Sequence, residues 1–197
     1  MSVQEHLLTA EQFAALPSEQ TQGRELIEGR VVDTRPRELV DGQAVRMSPA
    51  GCRHGKVTAR LVTRLGVFVT PELGEVLSSE TGFLISREPD TVRAPDAAFV
   101  RADRVPDETA DLGYAELAPD LVVHVVSPWD RAAEVLAEAL QWVDAGVLLV
   151  WVVDPGSRTV TVHRPGGVTR LVRGEGADLD GEDVLPNFRL ALDELFG

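Results

Sequence analysis

Three strand-like stretches in the second half of the chain constrain its fold most. Residues 121–126 and 147–153 consist mainly of valine and leucine, and residues 159–163 alternate valine with polar side chains. Apolar runs rich in β-branched residues predict buried strands, whereas strict alternation predicts a strand with one solvated face. Residues 128–145 are typical of a helix, and residues 154–157 of a turn. We therefore predict an α/β fold with a central mixed β-sheet flanked by helices.

The first half of the chain predicts two small hairpins between two helices. Thr9 and Gln12 form a helix-start signature in which each side chain can satisfy a backbone donor of the other. Residues 24–32 and 37–45 each place an acidic residue and a glycine between short apolar strands, which is typical of β-hairpins. Between 54 and 69, apolar side chains recur every three or four residues and predict an amphipathic helix. An N-terminal β-hairpin region thus precedes the main sheet.

Composition limits the class of protein. The chain has 197 residues, 44% of them hydrophobic, and no change in composition marks a linker, so one domain spanning residues 1–197 is predicted. The net charge of −13 argues against a general nucleic-acid coat protein. Cys52 is the only cysteine, no secretion signal is evident, and no apolar run reaches the ~20 residues of a membrane span. We expect a cytoplasmic protein without an internal disulfide or a membrane span.

The order of several motifs resembles a known nuclease family. The segments that carry the resemblance are Pro95-Asp96, 121–128, 145–155 and 185–190. In this order they resemble the Uma-type family of restriction endonucleases, within the PD-(D/E)XK nuclease superfamily, over nearly the whole chain. The resemblance implies a restriction endonuclease-like fold, a divalent metal (Mg²⁺ or Mn²⁺) as cofactor, DNA as substrate and a homodimer.

Two positions depart from the catalytic pattern that this resemblance implies. Such nucleases hold a divalent cation between carboxylates at the ends of adjacent strands, and a lysine assists the attacking water. Asp96 matches the first carboxylate, but His124 stands at the glutamate position and Glu138 at the lysine position. Strand alternation makes Asp96 and His124 converge if their strands pair. Glu80, upstream of the Asp96 strand, is a candidate third carboxylate.

His124 admits two interpretations. A neutral imidazole beside a carboxylate binds Mn²⁺ or Zn²⁺ far better than Mg²⁺, so His124 is a candidate metal ligand or base. Alternatively, it is a buried histidine satisfied by backbone or water, at a position that has lost its glutamate. The candidate catalytic residues are Asp96, His124 and Glu138, and the candidate metal ligands are Asp96, His124 and Glu80.

The helix that follows His124 begins with the pattern of a capping box. Ser127 takes the cap position, Asp130 follows three residues later, and Pro128 suits the first helical position. The apolar spacing of this helix predicts that Leu136 lies on its core-facing stripe.

The densest basic surface of the chain lies on the predicted helix between 54 and 69. A DNA-binding surface is the functional interpretation, and a solvated polar face is the alternative. The candidate nucleic-acid-binding residues are Arg53, His54, Lys56, Arg60 and Arg64.

The leading hypothesis for function is a metal-dependent DNA endonuclease with an altered metal site. The alternative is a catalytically inactive nuclease-fold protein that acts as a DNA- or protein-binding module, because both the glutamate and the lysine are replaced. A third class, a regulatory or structural dimer without nucleic acid, fits the net charge of −13.

Overall fold

The computed structural model describes residues 7–17, 20, 24–33, 37–40, 43–46, 51–79, 81–88, 90–106, 113–128 and 130–197. In chain order, the helices and strands are α1 (Ala10–Ala14), β1 (Arg24–Ile27), β2 (Arg30–Asp33), β3 (Arg37–Val40), β4 (Gln43–Arg46), α2 (Cys52–Phe68), β5 (Gly74–Ser78), β6 (Phe83–Ser86), β7 (Thr91–Arg93), β8 (Ala97–Arg101), β9 (Leu121–Val125), α3 (Ala132–Asp144), β10 (Leu149–Asp154), β11 (Thr159–Arg164), β12 (Val168–Val172), β13 (Asp178–Asp180), β14 (Arg189–Ala191) and α4 (Leu192–Phe196).

These elements belong to two compact units. The first unit comprises residues 1–49, 81–94 and 106–117, and the second comprises residues 50–80, 95–105 and 118–197. The expectation of one domain spanning both units stays a prediction. None of the described helices is long and apolar enough to cross a membrane.

The first unit contains the two predicted hairpins. Strands β1 and β2 pair antiparallel, as do β3 and β4, and a sheet forms in the order β2-β1-β7-β6. The side chain of Thr9 accepts a hydrogen bond from the Gln12 amide, and the Gln12 side chain accepts one from the Thr9 amide. Both the hairpins and this capping box are therefore confirmed. The core of the unit includes Phe13 and Leu26, which are fully buried.

The second unit is built on a six-stranded mixed sheet. The strand order is β12-β11-β10-β9-β8-β5, in which β9 and β10 are parallel and the other neighbours are antiparallel. Buried apolar side chains of α2 pack in one cluster with Phe99, Val123 and Trp151 of the sheet. Helix α3 contacts β10 and β11. The predicted central mixed sheet with flanking helices is confirmed.

Helix α3 differs from its prediction in both its start and its buried face. The helix begins at Ala132, with Arg131 at the N-cap position, rather than at Pro128. Its fully buried side chains are Ala139 and Trp142, whereas Leu136 is 48% exposed. Leu136 is therefore wrongly predicted to face the core. The helix is rotated so that the side facing the sheet also carries Glu138, a polar residue that the apolar pattern ignores.

Candidate active site

Strand pairing in the second unit brings Asp96 and His124 together. Strands β8 and β9 pair antiparallel, with Ala97 opposite Val123, and the Asp96 amide donates to the Val123 carbonyl at 3.1 Å. Asp96 directly precedes β8 and His124 lies near the end of β9, so the two residues meet at the same end of the sheet. His124 Nδ1 lies 3.9 Å from Asp96 Oδ2. The two side chains therefore converge, as the alternation along the two strands predicted.

Glu138 approaches the same imidazole from helix α3. Its Oε1 lies 3.8 Å from His124 Nδ1, and both side chains are about one-fifth exposed, at 20% and 21%. One ring nitrogen thus faces carboxylates from two different elements, Asp96 on the sheet and Glu138 on the helix. Because His124 and Glu138 keep this partial exposure, solvent can reach both side chains.

Asp130 contacts the other nitrogen of the His124 ring. Its Oδ2 lies 3.3 Å from His124 Nε2, and it also accepts the Ser127 amide at 2.7 Å. The Ser127 hydroxyl donates to Asp130 Oδ1 at 2.8 Å. Ser127 and Asp130 therefore form a turn before helix α3 rather than the predicted capping box. The contact of Asp130 with the imidazole is one that sequence reasoning missed, because the local motif already accounted for the aspartate.

Both oxygens of the Asp96 carboxylate are held by the protein. Oδ2 accepts a hydrogen bond from the Val125 amide at 2.7 Å, and Oδ1 lies 3.3 Å from His54 Nε2. His54 belongs to the first turn of helix α2, so this helix reaches the site as well as helix α3. The Asp96 and His54 side chains are 18% and 16% exposed.

The carboxylates determine the charge of His124. Burial by itself lowers the pKa of this imidazole, but the hydrogen bond with Asp130 and the negative charges of Glu138 and Asp96 outweigh it and raise the pKa to about 9. Burial by itself raises the pKa of Asp130, but the hydrogen bonds from His124 and Ser127 outweigh it and lower that pKa. His124 is therefore an imidazolium at neutral pH, surrounded by three carboxylates.

This pairing predicts a pH-dependent stability for the metal-free protein. The pKa of His124 rises from 6.5 in the unfolded chain to about 9 in the folded protein, so the folded state binds the proton more tightly. The resulting stabilisation, roughly 3 kcal/mol, is fully present below pH 6.5 and is lost as the pH rises through about 9. Urea denaturation across this pH range, with chelator present, measures it. A His124→Gln variant should lose this pH dependence, and an unchanged profile in the variant would contradict the assignment.

The other predicted site residues differ in their surroundings. Glu80 lies outside the described residues. Arg53 and Lys56 are exposed on helix α2. Arg60 donates to the Leu195 carbonyl at 3.1 Å and Arg64 forms an ion pair with Glu194, so helix α4 engages both arginines.

The resemblance implies a divalent cation. Whether this site suits one depends on which side chains could act as its ligands. No three His, Cys, Asp or Glu side chains in the described part of the chain are arranged to hold a metal ion by themselves. Asp96 and Glu138, however, direct carboxylates to one place, and Mg²⁺ is commonly held by one or two carboxylates together with substrate phosphates and water. The residues fit a cation of that kind, bound with the substrate.

The second unit is an α/β fold in which carboxylates from different elements cluster at one end of a central mixed sheet. The chain matches a crystal structure described as "a putative nuclease belonging to DUF820" from Anabaena variabilis ATCC 29413, with a TM-score of 0.73 and 20% sequence identity over 96% of this chain and 97% of that chain. Residues 10–193 match the Uma2 family, described as "Putative restriction endonuclease". The chain belongs to this family. No curated protein matched the sequence.

Proposed function

We propose that this chain is a divalent-metal-dependent DNA endonuclease in which the second carboxylate and the positive group of the site have exchanged positions. Asp96 and Glu138 supply the carboxylates, and His124 supplies the positive charge. The observation that carries the proposal is that His124 Nδ1 lies within 3.9 Å of Asp96 and 3.8 Å of Glu138. The resemblance implies the reverse arrangement, with a glutamate at position 124 on the strand and a lysine at position 138 on the helix.

The contacts of His124 favour the role of a cation over that of a metal ligand. Nδ1 faces Asp96 and Glu138, while Nε2 faces Asp130 at 3.3 Å. At these distances Nδ1 is attracted by charge rather than by a hydrogen bond, and the three carboxylates together favour the ring protonated at both nitrogens. Such an imidazolium is positively charged and offers no lone pair to a metal. His124 can therefore stand beside a phosphate as a lysine does, although its ring is flat and its reach is shorter.

The chemical roles then divide as follows. A bound divalent cation would lower the pKa of a water molecule and neutralise charge on the phosphate. Asp96 and Glu138 would hold that cation, with the Val125 amide keeping the Asp96 carboxylate in place. Asp130 orients the His124 ring, whose positive charge would face the phosphate oxygens.

A plasmid-cleavage assay tests the proposal with variants that reverse the exchange of the positive and negative groups at positions 124 and 138. The wild-type protein is expected to nick plasmid DNA with Mg²⁺ or Mn²⁺. The single variants His124→Glu and Glu138→Lys each place like charges together, so both should lose most activity. The double variant restores one positive and one negative group and is expected to recover roughly 30-fold relative to the product of the single effects, a coupling of about 2 kcal/mol.

The controls separate exchange from general damage. Glu134→Lys makes the same substitution one helical turn earlier, where the side chain is 68% exposed, and should leave cleavage unchanged. Additive effects of His124→Glu and Glu138→Lys would show that the two positions act independently. Absence of nicking by the wild type with either metal would refute the nuclease assignment.

A catalytically inactive binding module is the second candidate function. It is favoured by the internal pairing of His124 with three carboxylates and by the lack of a complete metal-binding trio among the described residues. A gel-shift titration separates the classes: DNA binding whose affinity falls with salt, without cleavage, indicates a binding module. Homodimer formation and a cytoplasmic location stay predictions.

A further inference from the structure

His54 is the residue of the site that the proposed chemistry leaves without a role. It lies in the first turn of α2, and its side chain is 16% exposed. Its neighbours Arg53 and Lys56 are exposed, whereas Val57 and Leu61 are buried, so His54 belongs to the inward side of the helix. This position separates it from the basic surface to which the sequence pattern assigned it.

The contacts of His54 make it a partner of one carboxylate oxygen. Its Nε2 lies 3.3 Å from Asp96 Oδ1, while the Val125 amide donates to Asp96 Oδ2 at 2.7 Å. These two contacts reach different oxygens from different elements, one from helix α2 and one from strand β9. Together they restrict rotation of the carboxylate about its last bond.

The second nitrogen of the ring has a partner of its own. His54 Nδ1 lies 3.5 Å from the Thr58 hydroxyl, one helical turn later. A hydroxyl at Nδ1 orients the ring with Nε2 toward the aspartate. Residues that hold a metal-binding side chain in this way typically contribute 10–100-fold to metal affinity.

We propose that His54 is a positioning residue that orients the Asp96 carboxylate for a divalent cation, with Thr58 orienting the His54 ring. The inference rests on the proposed function, because it requires Asp96 to hold a metal ion. In this role His54 acts through Asp96 and supplies no ligand to the metal.

Calorimetric titration of the full chain with Mn²⁺ alone tests this role without any cleavage measurement. His54→Leu removes the donor to Asp96 and is expected to weaken Mn²⁺ binding by about 10–100-fold. His54→Gln keeps an N–H donor of similar reach, so its affinity should stay within about threefold of the wild type. Thr58→Val should have a smaller effect of the same sign. Urea denaturation of each variant establishes that it is folded.

A matched control comes from the other described imidazole that contacts a threonine. His163 Nδ1 lies 3.3 Å from the Thr169 hydroxyl on the neighbouring strand, so His163→Gln alters a similar pair away from Asp96. Its Mn²⁺ affinity should equal that of the wild type. Wild-type affinity in His54→Leu, or an equal loss in His54→Gln and His54→Leu, would overturn the positioning role while leaving the proposed function intact. If the wild type fails to bind Mn²⁺ alone, the positioning role is overturned. The proposed function is refuted only if the wild type also fails to nick plasmid, because substrate phosphates complete the metal site there.

Discussion

Asp96→Asn is expected to reduce metal-dependent plasmid cleavage by more than about 100-fold, because loss of a metal-binding carboxylate should exceed the 10–100-fold effect typical of the groups that only orient one. The asparagine is nearly isosteric and its carbonyl oxygen can still accept the Val125 amide, so the variant should fold. The loss therefore isolates the negative charge. Cleavage is measured on supercoiled plasmid over a range of Mn²⁺ concentrations.

The control for Asp96→Asn is the same change at a solvated carboxylate. Asp183 is 99% exposed, and Asp183→Asn should cleave as the wild type does. If excess Mn²⁺ restores Asp96→Asn to the wild-type rate, the aspartate contributes only to affinity. A wild-type rate for Asp96→Asn at every Mn²⁺ concentration would remove Asp96 from the active site.

Asp120→Ala is expected to lower the free energy of unfolding by about 3 kcal/mol, because it removes a buried carboxylate that accepts hydrogen bonds from two partly buried donors. Asp120 is fully buried and directly precedes β9. Its Oδ2 accepts the Arg101 amide at 2.9 Å and its Oδ1 accepts Arg104 Nη1 at 2.7 Å. The Arg104 side chain is 33% exposed and can regain some hydration, so the loss should fall at the lower end of the range for buried ion pairs.

Urea denaturation at neutral pH measures this loss. Asp183→Ala removes a carboxylate that is 99% exposed and should change stability by less than about 0.5 kcal/mol. Asp120→Asn retains an acceptor for the Arg101 amide, so its loss of stability should lie between those of Asp120→Ala and Asp183→Ala. A loss in Asp120→Ala no larger than that in Asp183→Ala would show that the buried pair contributes no net stability.

Much of the fold follows from short-range sequence patterns. The apolar run predicted at 121–126 is strand β9 at Leu121–Val125, and the alternating run at 159–163 is strand β11 at Thr159–Arg164. Valine-rich runs and period-two alternation are local signals that suit a pleated, buried surface whatever the rest of the chain does. The hairpins and the cap of helix α1 were predictable for the same reason.

The candidate site was predictable only in part. Alternation along two strands was enough to predict that Asp96 and His124 converge, since pairing of adjacent strands brings their ends together. The start of helix α3 was not, because Asp130 bonds to Ser127 and His124 before the helix instead of capping it. A serine followed three residues later by an aspartate is the same sequence pattern whether the pair caps a helix or forms a turn before it.

By itself the sequence determined the main buried strands, the two hairpins, the family, and the presence of Asp96, His124 and Glu138 at the positions where the resemblance implies catalytic groups. Only the tertiary structure decided that Glu138 turns toward the sheet, that Asp130 reaches the far side of the His124 ring, and that His54 holds Asp96. The physical reason is the distance along the chain over which each kind of interaction acts. Hydrophobic periodicity acts between residues a few positions apart, whereas the charge of an imidazole depends on carboxylates that packing brings from other elements.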